Sequence, residues 1–352
     1  MSSPILFSEE YHQNVLRQYG YSSFDLRRFD FNLARQDSHL LNARYFCHFN
    51  ADKYAKIPQQ RRVVTTGFGM SGLPHLATAS HILKMIELQK MGERCQIVLG
   101  DLDAYNGKTR SFGQVTELAA KYRQFCLNLG FDDDAGILRY QVGYQPALEA
   151  MYLLGRYVTY EELRDAEEDN HLYYATKGIV DPTMTFRRAL SLCLMVADFI
   201  DAGQRFDGVM VMLGLDEHRY VRFAQQTFSQ IDDAIPLRSN FLFSASYTRM
   251  VRGFGGYPKF SKSFPGSAID VTTPPENVYR MLTSEPAAPE ESTTYQLMCQ
   301  IPFFGYQKLL DLAEHCREGG ECWRSEVSKF ADYVINVLEQ WPDREKISAD
   351  SV

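Results

Sequence analysis

Two stretches of this 352-residue chain carry side chains suited to chemistry on a phosphate. In the first, Val63 and Val64 form a short β-branched run of the kind that makes a buried parallel strand. Gly67, Gly69 and Gly72 follow, which predicts a tight turn that can come close to a ligand. Pro74 then suits the first turn of a helix over about residues 75–91. Strand, glycine turn and helix N-terminus together make an anion site, because free N–H groups and the helix dipole face the ligand. The spacing is neither the dinucleotide fingerprint nor the P-loop, as no Gly-Lys-Ser/Thr follows. The second stretch, Tyr257 to Ile269, is a basic loop with Lys259, Lys262, Ser261 and Ser263.

The elements that must hold these stretches alternate. Cys95 to Asp101 predicts a second buried strand, ending in Asp101, Asp103 and Tyr105. A helix over about 112–129 and a strand over 137–142 follow, then strands at Gly208–Leu213 and around Asn240–Phe243. This pattern is that of an α/β fold with a doubly wound parallel sheet, whose ligands sit at the carboxyl ends of the strands at the switch point. The candidate residues fall at such ends. Residues 1–60 read as a helical extension ahead of an α/β domain over 61–270. Within that domain, 143–205 form a helical insertion with an apolar run at Ala189–Ala197. The acidic run Glu161–Asp169 reads as a solvated face, and residues 271–352 as a smaller C-terminal helical domain.

A formal net charge of −7 and a pI near 5.7 give no overall basic footprint for nucleic acid, so no DNA partner is expected. The seven cysteines are scattered without zinc or redox spacing, which predicts reduced thiols and a cytoplasmic setting with no protein-held metal. No apolar run reaches membrane-spanning length, so no membrane partner is expected.

Three segments in order resemble the class I aminoacyl-tRNA synthetases, in their tyrosyl and tryptophanyl subgroup. His75-Leu-Ala-Thr78 stands where the family has His-Ile-Gly-His, and Lys259-Phe-Ser-Lys-Ser263 where it has Lys-Met-Ser-Lys-Ser. Gly214-Leu-Asp-Glu217, closing a strand, looks like the subgroup's Gly-x-Asp-Gln. The resemblance implies a Rossmann-like catalytic domain and an ATP-dependent ligase. Such an enzyme joins a carboxylate to the α-phosphate, expels pyrophosphate, and passes the acyl group to tRNA or to a small amine or peptide. An ordinary tryptophanyl- or tyrosyl-tRNA ligase and a catalytically silent paralogue are the alternatives.

The resemblance also assigns residues. His75, Thr78, Lys259 and Lys262 would contact the phosphates. Gly67, Phe68, Gly69, Ser71, Ser261 and Ser263 would border ATP, Gly214 would pass the adenosine, and Asp216 would accept from the ribose hydroxyls. Mg²⁺ would arrive with ATP. The amino-acid pocket departs from the pattern: Ser191, Met195 and Asp198 match the family's Tyr-Pro-x-x-Gln-x-x-Asp, with Tyr and Gln replaced. Thr65 replaces a strand Tyr, Val211 stands near a further Gln position, and Glu217 replaces Gln. A buried ammonium needs partners. Either Asp101, Asp103 or Glu217 holds it, or the substrate is an amino-acid-like molecule other than Tyr or Trp. A homodimer through residues 143–205 is also implied.

Overall fold

The computed structural model describes residues 8–24, 33, 35–36, 38–107, 110–167, 169, 171, 175, 178, 183–257, 259–260, 266–283 and 288–344. Its six described strands are β1 (Cys47–Phe49), β2 (Arg62–Gly69), β3 (Cys95–Gly100), β4 (Ile137–Tyr140), β5 (Gly208–Gly214) and β6 (Leu242–Thr248). They form one sheet in the order β1-β6-β5-β2-β3-β4, parallel throughout except for the β1–β6 pair. The chain winds outward from β2 through β3 to β4, returns to lay β5 beside β2, and continues outward to β6. The switch point therefore lies between β2 and β5, in an α/β doubly wound sheet.

The described helices are α1 (Glu9–Tyr19), α2 (Ser38–Arg44), α3 (Ala51–Tyr54), α4 (Leu76–Lys90), α5 (Asp101–Gly107), α6 (Phe112–Asn128) and α7 (Gln145–Leu154). The rest are α8 (Tyr160–Asp165), α9 (Phe186–Arg205), α10 (His218–Phe228), α11 (Pro275–Leu282), α12 (Thr293–Gln300), α13 (Tyr306–Glu318) and α14 (Gly320–Glu339). Strand periodicity divides them between two cores. In β5, Met210 and Met212 face the core shared with α4 and α6, while Val209, Val211 and Leu213 face that of α7, α9 and α10. Helices α11 to α14 join the first core, where Leu297 and Phe330 cluster with Leu83 and Ile86. The C-terminal helices thus pack against α2 and α4.

Three local readings change. β2 runs on to Gly69, with Gly67 opposite Val98 and Gly69 opposite Gly100, so these glycines are extended strand rather than turn. Pairing with β3 carries the ladder three residues past Thr66, the last β-branched residue. The stretch read as a helical extension contributes β1, an edge strand pairing Cys47 with Tyr247. The acidic run is solvated only in part: Glu167 and Asp169 are buried. Asp169 accepts from Tyr11 Oη at 2.6 Å and bonds His218 Nε2 at 3.1 Å and Arg219, which holds its carboxyl below the usual range against the upward push of burial.

Candidate active site

At the switch point the carboxyl ends of β2 and β5 open onto a cavity of about 420 Å³, a size that takes a small molecule. α4 points its N-terminus into it. His75 is the N-cap, with Nδ1 accepting from the Thr78 backbone N–H at 3.1 Å. An imidazole that accepts at Nδ1 carries its proton at Nε2 when neutral, which leaves a donor on the other edge of the ring.

The basic loop begins and ends beside this helix start. His75 pairs with Asp270 as an antiparallel bridge, and Leu76 N donates to Ile269 O at 2.8 Å. The Phe260 ring packs edge-on against the His75 imidazole at 5.5 Å. Lys259 Nζ donates to Asp216 Oδ2 at 2.9 Å, and both side chains are largely buried. His75, Thr78, Lys259, Asp216 and Gly214 all line the one cavity. At Gly214 a Cβ would come to 2.7 Å from Asp216 Oδ1, so a side chain here would push that carboxylate aside. Gly67, Phe68, Gly69 and Ser71 border the same space. Lys262, Ser261 and Ser263 lie outside the described residues.

The other end of the cavity lies between the sheet and α9. Thr65, Val211, Met195, Asp198 and Asp103 line it, whereas Glu217 lines the cavity beside Gly214, its Oε2 accepting from Gly214 N at 3.3 Å. Asp101 and Ser191 do not line the cavity. Asp101 is fully buried, and its Oδ1 accepts from the backbone N–H groups of Leu102, Gln141 and Val142 at 2.8, 3.1 and 3.1 Å. It ties the end of β3 to the end of β4. Ser191 Oγ donates to Asp103 O at 3.2 Å and braces α5. Asp198 is gripped by Arg139 Nη2 at 2.7 Å and Gln141 Nε2 at 2.8 Å. Burial raises its carboxyl above the usual range and outweighs the lowering by Arg139. Gln141 passes the constraint on, its Oε1 accepting from Asp103 N at 3.0 Å.

Arg188 was not among the candidates, yet it lines the cavity. Its Nε and Nη2 clasp Glu167, each at 3.0 Å, Nη2 also meets Tyr220 Oη at 3.0 Å, and Nη1 lies 3.9 Å from Asp103 Oδ1. Burial alone would weaken its proton affinity, but Tyr220 and Glu167 hold the guanidinium firmly charged. Helical spacing carries the missed signal: Arg188, Leu192, Met195 and Phe199 lie at i, i+4, i+7 and i+11 on one face of α9, with Ser191 and Asp198 at its edge.

The architecture is that of a doubly wound α/β protein with its cavity at the switch point. Over residues 58–334 the chain matches the family described as tRNA synthetases class I (W and Y), and it belongs to that family. The tryptophan–tRNA ligase of Methanocaldococcus jannaschii is 21% identical over 309 residues, which cover 81% of this chain and 80% of that protein. The tryptophanyl-tRNA synthetase structure from Aeropyrum pernix superposes with a TM-score of 0.76 at 19% identity, over 97% of this chain and 96% of that one. The tyrosyl-tRNA synthetase of Archaeoglobus fulgidus, solved with L-tyrosine, gives 0.66 at 18% identity, over 83% and 92%. At these identities the structural likeness speaks for the fold.

Proposed function

We propose that this chain is an ATP-dependent ligase of the aminoacyl-tRNA synthetase type, which activates an amino acid at its carboxylate and hands the acyl group to an acceptor. The observation that carries this reading is the convergence of His75, Lys259 and Asp216 on one cavity at the α4 N-terminus. In such a reaction the carboxylate oxygen attacks the α-phosphorus and pyrophosphate leaves. The protein's task is mostly to position the reactants and to neutralise charge that grows on the phosphoryl oxygens.

The roles follow from chemistry. The α4 N-terminus and the His75 Nε2–H offer donors to the phosphates. Lys259, carried by the basic loop, exchanges Asp216 for phosphate when the nucleotide binds, which frees the carboxylate for the ribose hydroxyls. The clash that any Cβ at Gly214 would create fits a site where the nucleoside approaches the backbone. Mg²⁺ enters on the nucleotide's phosphates. At the other end, Asp103 is the best partner for a substrate ammonium, with about a third of its side chain accessible, whereas Asp101 is buried away from the cavity. The slot beneath it is walled by Val98, Leu192, Met195, Phe199 and Val211, which suits an apolar side chain.

Family membership supports tRNA as the acceptor. Replacement of the subgroup's amine-holding Tyr and Gln by Ser191 and Met195 favours a second reading, in which a small amine or peptide receives the acyl group. Pyrophosphate exchange over a panel of amino acids tests activation, with amino-acid-dependent exchange expected. Charging of total tRNA with the active amino acid then separates the acceptors: acid-precipitable label on tRNA supports the first reading, and its absence with an active enzyme supports the second.

A further inference from the structure

The nucleotide end of the cavity extends beyond the α4 N-terminus. Ala77, Ser80 and His81 line it, and Lys84 follows on the same helical face, about 10 Å beyond Ala77 at the α-helical rise. Lys84 is 1% exposed, which is rare for a lysine and requires polar partners. Its Nζ donates to Gln300 Oε1 at 2.7 Å and to Ser80 Oγ at 3.4 Å, and it lies 5.8 Å from the centre of the Tyr45 ring. Gln300, the last residue of α12, comes from the C-terminal helices and lines the same cavity.

A carboxamide has one accepting end and one donating end. A lysine side chain approaches with N–H donors, so it takes the Gln300 oxygen and turns the NH₂ away from itself. That NH₂ has no partner among the described residues, and it is not one of the sealed polar atoms. Gln300 itself lines the cavity. The amide is thereby held in a single orientation by a side chain that does not itself reach the ligand space.

We infer that Gln300 reads the base of the nucleotide: its NH₂ donates to an unprotonated ring nitrogen of adenine, and Lys84 is the positioning residue that fixes the amide. The assignment rests on the ATP reading above and adds a base contact supplied by the C-terminal helices. Gln300→Leu removes the donor. Gln300→Glu keeps the partner for Lys84 but presents an acceptor in place of the donor. Lys84→Met frees the amide to turn over, and Lys84→Arg restores a donor to its oxygen.

The test is calorimetric binding of ATP and of its 1-deaza, 3-deaza and 7-deaza analogues to the full chain. The wild type is expected to bind one of the three about tenfold more weakly than ATP, the cost of one hydrogen bond. In Gln300→Leu that analogue and ATP bind alike. Gln300→Glu weakens ATP about tenfold or more, Lys84→Met shrinks the analogue penalty, and Lys84→Arg returns it. Three analogues within twofold of ATP on the wild type, or an undiminished penalty in Gln300→Leu, would overturn the assignment. The wild-type series needs no variant to fold. If ATP itself does not bind, the nucleotide reading falls as well; if ATP binds and the analogues are equal, only the base contact falls.

Discussion

The contact between Lys259 and Asp216 joins the two segments on which the proposed chemistry depends, and substitutions there separate binding from catalysis. Lys259→Met should lower pyrophosphate exchange on the order of 100-fold, the loss typical of one charge-stabilising donor, with amino-acid affinity unchanged. Equal loss of both would point to a collapsed cavity instead. Gly214→Ala forces Asp216 aside, since the new methyl would stand 2.7 Å from its Oδ1. ATP affinity should fall tenfold or more while the far end of the cavity still binds amino acid, as read by calorimetry. Buried histidines set the acid limit. Burial depresses His12 and His48 to about 4, and the ring nitrogens of His12 have no partner among the described residues. Between pH 6.5 and 4 the unfolded chain therefore binds more protons than the folded one. Stability is complete above about pH 6.5 and falls as pH drops toward 4, by roughly 3 kcal/mol for each histidine. Urea midpoints measured across that range should decline steadily; a flat profile would contradict the burial.

At the scale of elements, His75 has two roles that different substitutions separate. As N-cap of α4 it is worth about 1 kcal/mol, which His75→Ala should remove and His75→Asn largely restore. Exchange activity should stay low in both, because asparagine caps the helix without the Nε2–H edge. Recovery of activity in the asparagine variant would reduce His75 to a structural cap. Much of this scaffold was legible in local pattern. The helix after Pro74 and the strand from Cys95 fall within a residue or two of expectation, as proline placement and apolar runs are local signals. The remainder depends on partners distant in sequence. The glycines of β2 are strand because β3 lies beside them, and Cys47–Phe49 is strand because β6 offers its edge. Asp101 looked available at a strand end, yet backbone N–H groups forty residues on claim it. Arg188 stood in a motif-poor part of α9, and only its spacing from Met195 along the helix placed it on the cavity face.

For the whole molecule, the sheet and the C-terminal helices share one core, so the nucleotide end of the cavity is built from both. Large aromatic side chains are exposed on α7 and α9: Tyr152 is 85% and Phe186 78% exposed. We propose that a second copy covers these two side chains. Light scattering should give twice the 40.4 kDa chain mass, and Tyr152→Asp with Phe186→Asp should halve it; a monomeric wild type would refute the dimer. The central claim is that His75 and the lysine-bearing loop close over one triphosphate while an amino acid lies at the α9 end. The most direct measurement is pyrophosphate exchange into ATP by the purified chain across a panel of amino acids. The account predicts exchange that requires one amino acid, one with an apolar side chain, and that Lys259→Met lowers on the order of 100-fold; exchange with no carboxylate at all, from a folded protein, would contradict it.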